Sequence, residues 1–247
     1  MKDERTPAGE IRVSSPLLKK LDNFFYHYKW HTVVALFLTV AILVCCFQTC
    51  SKEEYDIEVM YAGPANLNDK QTVLDIQNAF SRIAYDTTED GMTVARLVSY
   101  WVDERFYNGD EEALDGADIV YFANNSYNNE NAYHDEIAAG NLSICLLSPY
   151  LFYQVHKEGG FMRIDELCPD LDESLYRVGE EGSINHYAVV LSKTAFGKQT
   201  GLSSLPEDTI LCIRKPAYNL LNASRAEKQH ENALKVFLNA LLYGEAE

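Results

Sequence analysis

The six histidines are scattered, and neither an H-E-x-x-H pair nor a Cys-x-x-Cys pair is present. The common spacings for binding zinc are therefore missing. Asp86-Thr87-Thr88-Glu89-Asp90-Gly91 opens like a calcium loop, but its third position is Thr88 and its twelfth is Leu97. A calcium loop needs a glutamate at the twelfth, so the segment reads as a turn into a strand. No G-x-S-x-G elbow and no phosphate loop occurs. Asp110-Glu111-Glu112 reads as a solvated face. Cys145 and Cys212 fall in apolar runs, where a buried thiol is the default, and Cys168 lies between them in the chain. Three such thiols allow one disulfide outside a cell but no disulfide framework. The chemistry left is recognition. Tyr61, Trp101, Tyr127, Tyr133, Tyr150 and Tyr153 offer flat area with a polar tip, suited to a polar or sugar-like ligand or to partial burial in a core. Asn124-Asn125-Ser126, Asn141-Leu142-Ser143 and Asn222-Ala223-Ser224 match glycosylation acceptors, which matter only in a eukaryotic secretory pathway.

Charge and length bound what these residues serve. In 247 residues, 37 acids face 21 bases, a net charge of −16. That balance excludes a nucleic-acid binder, which needs a basic face. From Trp30 to Cys50 there is no Asp, Glu, Lys or Arg, and Val33 to Phe47 is broken only by Thr39. At about 1.5 Å per residue this run reaches about 30 Å, the hydrocarbon thickness of a bilayer. It lacks the polar stripe of a core helix. The expected partner of residues 30–50 is therefore the lipid bilayer. Residues 1–29 carry six bases against four acids, whereas residues 51–247 carry 15 bases against 33 acids. Basic flanks stay in the cytoplasm, which predicts residues 1–29 inside, one transmembrane helix over 30–50, and an extracytoplasmic domain over 51–247. Leu17, Leu18, Leu21, Phe24, Phe25 and Tyr28 recur at helical spacing and predict an interfacial helix leading into the span. A cleaved signal peptide is the rival reading. The preceding stretch is long for one, and no A-x-A site follows. Leu43-Val44-Cys45-Cys46 approaches a lipoprotein site, but Cys45 stands where a small residue is usual.

The outer domain alternates strand-length apolar runs with helical patterns. Tyr55 to Tyr61 and Met92 to Val102 read as strands, with a helix from Val73 to Ala84 between them. The wholly apolar Ile119 to Ala123 reads as a third strand, ahead of a helix from Ser126 to Ala139 stopped by Gly140. Ser143 to Leu147 is a strand, after which Ser148 caps a helix that opens on Pro149 and runs to about Glu158. Ile184 to Ser192 and Thr209 to Arg214 read as strands, and Ser224-Arg225-Ala226-Glu227 is a capping box that opens a final helix. The pattern predicts an α/β fold, a mainly parallel sheet flanked by helices. In such sheets ligands sit beyond the carboxyl ends of the strands. Tyr61, Gly63, Asn124, Ser148 and Tyr150 are the candidate ligand-binding residues there.

Glu136 to Phe152, continuing through Gly159-Gly160-Phe161-Met162-Arg163-Ile164-Asp165-Glu166-Leu167, resembles extracellular solute-binding proteins of the periplasmic-binding-protein type II kind. In that family a glycine-ended helix precedes a short buried strand, then a helix and a glycine turn. The strand ending Met60-Tyr61 before Gly63-Pro64 is similar to the family's first strand. The chain is also similar to membrane-anchored proteins of Gram-positive gut bacteria that carry a Tyr28-Lys29-Trp30-His31-like approach to the span. The resemblance implies a reduced solute-binding fold on a membrane anchor, with a small-molecule or protein ligand outside the cell.

Three functions follow. One is a membrane-tethered binding or sensing module, one a scaffold that keeps the fold without the ligand, and a distant third an extracytoplasmic hydrolase. The residue patterns imply no enzyme, no cofactor and no metal. The charge asymmetry makes a direct prediction: protease added to intact cells digests residues 51–247 and spares 1–29. Full protection of the larger part would reverse the orientation.

Overall fold

A computed structural model describes residues 16–50, 55–104, 116–140, 142–156, 160–179, 182–216 and 223–244. The chain divides into two compact units, Met1–Glu53 and Glu54–Glu247.

The first unit holds α1 (Pro16–Cys50), interrupted at Tyr28, whose φ of −117° and ψ of 18° are not helical. The interruption falls where the interfacial pattern gives way to the apolar run. Tyr28–Cys45, with mean hydropathy 1.7, is long and apolar enough to cross a membrane, a test that a signal segment also passes. Its two threonine hydroxyls are satisfied within the helix: Thr32 donates to the Tyr28 carbonyl and Thr39 to that of Ala35. Internal satisfaction of polar groups is what a hydrocarbon environment demands.

The second unit is a six-stranded sheet in the order β2-β1-β3-β6-β5-β4. Its strands are β1 (Ile57–Gly63), β2 (Ala95–Trp101), β3 (Ile144–Leu147), β4 (Tyr176–Val178), β5 (Ile184–Val190) and β6 (Ile210–Ile213). β1 pairs parallel with both β2 and β3, while β3–β6, β6–β5 and β5–β4 are antiparallel. The sheet is mixed, which corrects the mainly parallel expectation. The turn between β4 and β5 is tight, with Gly179 donating its N–H to the Ser183 carbonyl and Gly182 at φ 74°. Such a turn allows only an antiparallel return. Between β5 and β6 the chain makes three 3₁₀ turns and no crossover helix.

Helices cover both faces. Ile57, Val59 and Tyr61 of β1 point to a core shared with α2 (Lys70–Ser81) and α6 (Ala223–Leu241), through Ile76, Phe80, Val236 and Phe237. Met60 and Ala62 point the other way, to a core with Tyr133 of α3 (Gly116–Ala139) and Leu151 and Phe152 of α4 (Pro149–His156). α5 (Ile164–Leu167) adds Ile164 to the first core. Strand alternation divides one strand's side chains between two cores.

Ile119–Ala123 is helical, not a strand; it lies inside α3. A short apolar run has no period of its own, and no proline or glycine between Ala117 and Ala139 separates it from the helix that follows. β4 has no counterpart in the sequence pattern, because three residues carry no alternation. α6 begins at Ala223, one residue before Ser224, so Ser224 is inside the helix. The side chains of Ser224 and Ala226, and residues 51–54, 110–112, 141, 158–159 and 222, lie outside those described.

One carboxylate ties down the entrance to β1. Asp56 is buried and accepts N–H bonds from Thr87 at 2.6 Å, Thr88 at 3.1 Å and Val94 at 2.8 Å. The calcium-like segment is thus a turn folded onto Asp56. Burial raises this carboxyl, but the donors of Val94, Thr87 and Thr88 together outweigh it and hold it below its ordinary value. A depressed carboxyl stabilises the fold above its unfolded pKa, and that contribution is lost as pH falls through the folded value. Asp56→Asn is expected to cost about 1.5–3 kcal/mol at neutral pH. Below about pH 4, near the unfolded value, urea unfolding should show that gap to wild type closing.

Candidate functional site

The carboxyl ends of β1 and β3 lie side by side, with Ala62 in register with Leu147. Ser148 donates its N–H to the Ala62 carbonyl at 2.8 Å, and Val102 donates to the Gly63 carbonyl at 2.9 Å. Strand order reverses at β1, since β2 lies on one side and β3 on the other. This is the edge at which an open α/β sheet places a ligand.

Tyr61, Gly63 and Ser148 meet there. A Cβ built on Gly63 would stand 2.9 Å from the Tyr61 hydroxyl oxygen and 3.4 Å from the Ser148 Cβ. Glycine is what lets the Tyr61 ring lie across the strand end. That ring is 1% exposed, and its oxygen accepts the Ala65 N–H at 2.9 Å. Burial, then Asp208 and Asp103, push the Tyr61 phenol well above its ordinary range, so it stays protonated. Ser148 is buried and its hydroxyl accepts the Leu151 N–H at 3.4 Å, the capping role its position predicts.

Tyr150 faces α3. Its hydroxyl donates to Glu130 Oε1 at 3.3 Å, beside the Gln154 amide, which donates to the same oxygen at 2.9 Å. Burial, followed by Glu130, raises the Tyr150 phenol. Asn124 is exposed on α3 and joins none of these bonds. Of the other aromatics, Tyr133 is buried and donates to the Leu151 carbonyl, Trp101 donates to the Pro64 carbonyl at 3.0 Å, and Tyr127 is exposed.

Sequence reasoning missed the acids around this edge. Asp103, 1% exposed, follows β2, and its N–H is held by the Ser126 hydroxyl at 3.0 Å. The Glu104 carboxyl is raised by burial first, then by Asp208 and Asp103. Asp103 and Glu104 are neighbours in the chain, but Asp208 comes from a distant segment, and no spacing links it to them in one dimension. Among the described residues no group of histidines, cysteines and carboxylates is arranged to hold a metal.

No protein-family model, no curated protein and no solved structure matches the chain.

The contact between Gly63 and Tyr61 is testable by double-mutant cycle. Gly63→Ala is expected to destabilise by about 1–3 kcal/mol through overpacking. In a Tyr61→Phe background the nearest clashing atom is gone, and the cost of Gly63→Ala should shrink. Additive effects, measured by chemical denaturation, would mean that the two residues do not press on each other.

Proposed function

We propose that the chain is a single-pass, membrane-anchored protein whose outer α/β domain works as an interaction scaffold and not as a small-molecule receptor. The N-terminal segment is cytoplasmic and residues 51–247 are extracytoplasmic in this reading. The observation that carries it is the Tyr61 ring. It is buried at the carboxyl end of β1, its oxygen tied to Ala65 and its hydroxyl end against Gly63, beside Ser148. A receptor of the solute-binding kind keeps this edge open and lined with convergent polar groups. Here the N–H of Ser148, the carbonyls of Ala62, Gly63 and Pro64, and the hydroxyl of Ser148 are all engaged within the chain. The same domain leaves Tyr85, Met92 and Val94 in solvent on the segment between α2 and β2, with Met92 64% exposed. Apolar side chains held outward on a tied-down turn suit a protein contact.

A second reading is favoured by the acids at the edge. Glu104, raised by burial beside Asp103 and Asp208, would recognise a cationic group of a ligand. Thermal unfolding of the full chain in detergent separates the two. Amino acids, polyamines, sugars and divalent cations, each added in excess, should leave the midpoint unmoved. A ligand at a hundred times its Kd raises it by about 5–10 °C, and such a rise would replace the scaffold reading with the receptor one.

A further inference from the structure

We propose that Cys145 and Cys212 close a cross-strand disulfide that joins β3 to β6. Its formation in the cell rests on the extracytoplasmic placement of the domain, since disulfides persist in oxidising compartments.

The register selects this pair. Cys145 of β3 and Cys212 of β6 are directly opposed in the antiparallel ladder. Opposed residues point to the same face of the sheet, and both belong to the core beneath α3 and α4, each 0% exposed. Their Cα atoms fall in the range of about 4.5–5.5 Å set by antiparallel pairing. That range lies within the roughly 4.4–6.8 Å window of a disulfide. Both are free thiols in this structure, Cys212 donating its S–H to the Cys145 carbonyl at 3.7 Å and Cys145 to that of Ser143 at 3.8 Å. Cys168, the other described thiol of this domain, is buried in the core on the opposite face. Linking it to either strand cysteine would mean crossing the sheet.

Arg214 supplies the local field. It lies two residues beyond Cys212, on the same face of β6 by strand alternation. It is 8% exposed, and its Nε and Nη1 have no hydrogen-bond partner among the described residues. Burial, the largest effect, holds the Cys212 thiol high, and Arg214 pulls the other way. The net effect keeps Cys212 a protonated thiol in the folded domain, so exchange, which needs thiolate, precedes its burial.

The step balances by thiol–disulfide exchange with a disulfide donor. One cysteine thiolate attacks a donor sulfur and releases the first donor thiolate. The second cysteine thiolate attacks the mixed disulfide and releases the other. The two cysteines lose two protons and two electrons, and the donor disulfide is reduced to two thiols. Because both sulfurs are shielded in the folded domain, closure accompanies the docking of β6 on β3.

The full chain in detergent is unfolded, refolded in an oxidised and reduced glutathione mixture, alkylated and digested without reductant. The expected product is one linked peptide pair joining Cys145 to Cys212, lighter by two hydrogens. Cys168→Ala should leave it intact. Reduction should lower the unfolding midpoint by roughly 10 °C, as expected for a crosslink closing a long loop. Alkylation of both strand cysteines after oxidative refolding, or a link to Cys168, would overturn the proposal. Alkylating intact cells before lysis adds the compartment. Free thiols in a domain that added protease can cut overturn the disulfide's occurrence in the cell. Free thiols in a protected domain, with the link formed on refolding, place the failure in the extracytoplasmic reading instead.

Discussion

β1 has no free edge, and both its faces are covered except at Glu58. β2 and β3 take its two hydrogen-bonding sides, and cores beneath α2 and α6 and beneath α3 and α4 take its two faces. Its residues are buried from Ile57 to Gly63 with only Glu58 half-buried, and Glu58 pairs with Arg96 on the edge strand β2. A strand covered on all sides needs its backbone fully paired and its side chains divided between two cores. The rest of the domain meets those two demands. α2 closes the crossover to β2, and α3 closes the crossover back past β1 to β3.

The two ends of β1 are treated in opposite ways. At its start a carboxylate gathers the N–H groups of a turn, and Asn232 of α6 donates to the Asp56 carbonyl at 2.8 Å. At its end, where a receptor leaves room, a tyrosine ring fills the space that glycine leaves. The polar atoms a ligand would use are engaged by the protein itself. The carboxyl end of β1 is thus a packing joint between Tyr61, Gly63 and Ser148.

The antiparallel half extends the sheet without extending the binding edge. β6 runs back along β3, so its beginning brings Asp208 to the edge where β1 and β3 end. The connection from β5 lies on the α2 side, with Leu191, Phe196, Leu202 and Leu205 packed in that core. Gly201, at φ 88°, makes the close approach possible: a Cβ there would stand 2.7 Å from the Asp75 Cβ. Short turns and 3₁₀ segments in place of crossover helices give a small domain a wide sheet.

Several features are written in the sequence because they are local. The uncharged run from Trp30 to Cys50 needs only length and composition, and the change of pattern before it coincides with the interruption at Tyr28. The Ser148-Pro149 start of α4 and the Gly140 stop of α3 are set by backbone rules that operate within a few residues. Alternation and punctuation are enough to place β1, β2, β3, β5 and β6. Three things were decided only in three dimensions. Ile119–Ala123 became helix because a short apolar run takes the structure of its neighbours. The sheet became mixed because strand direction depends on how the chain returns, and the tight Gly179–Ser183 turn forced β5 back antiparallel along β4. The candidate edge brought Tyr61, Gly63 and Ser148 together as the topology rule implies. Its occupancy by the Tyr61 ring, its acids from distant segments, and the facing of Cys145 by Cys212 depend on register and side-chain volume, which no one-dimensional spacing records.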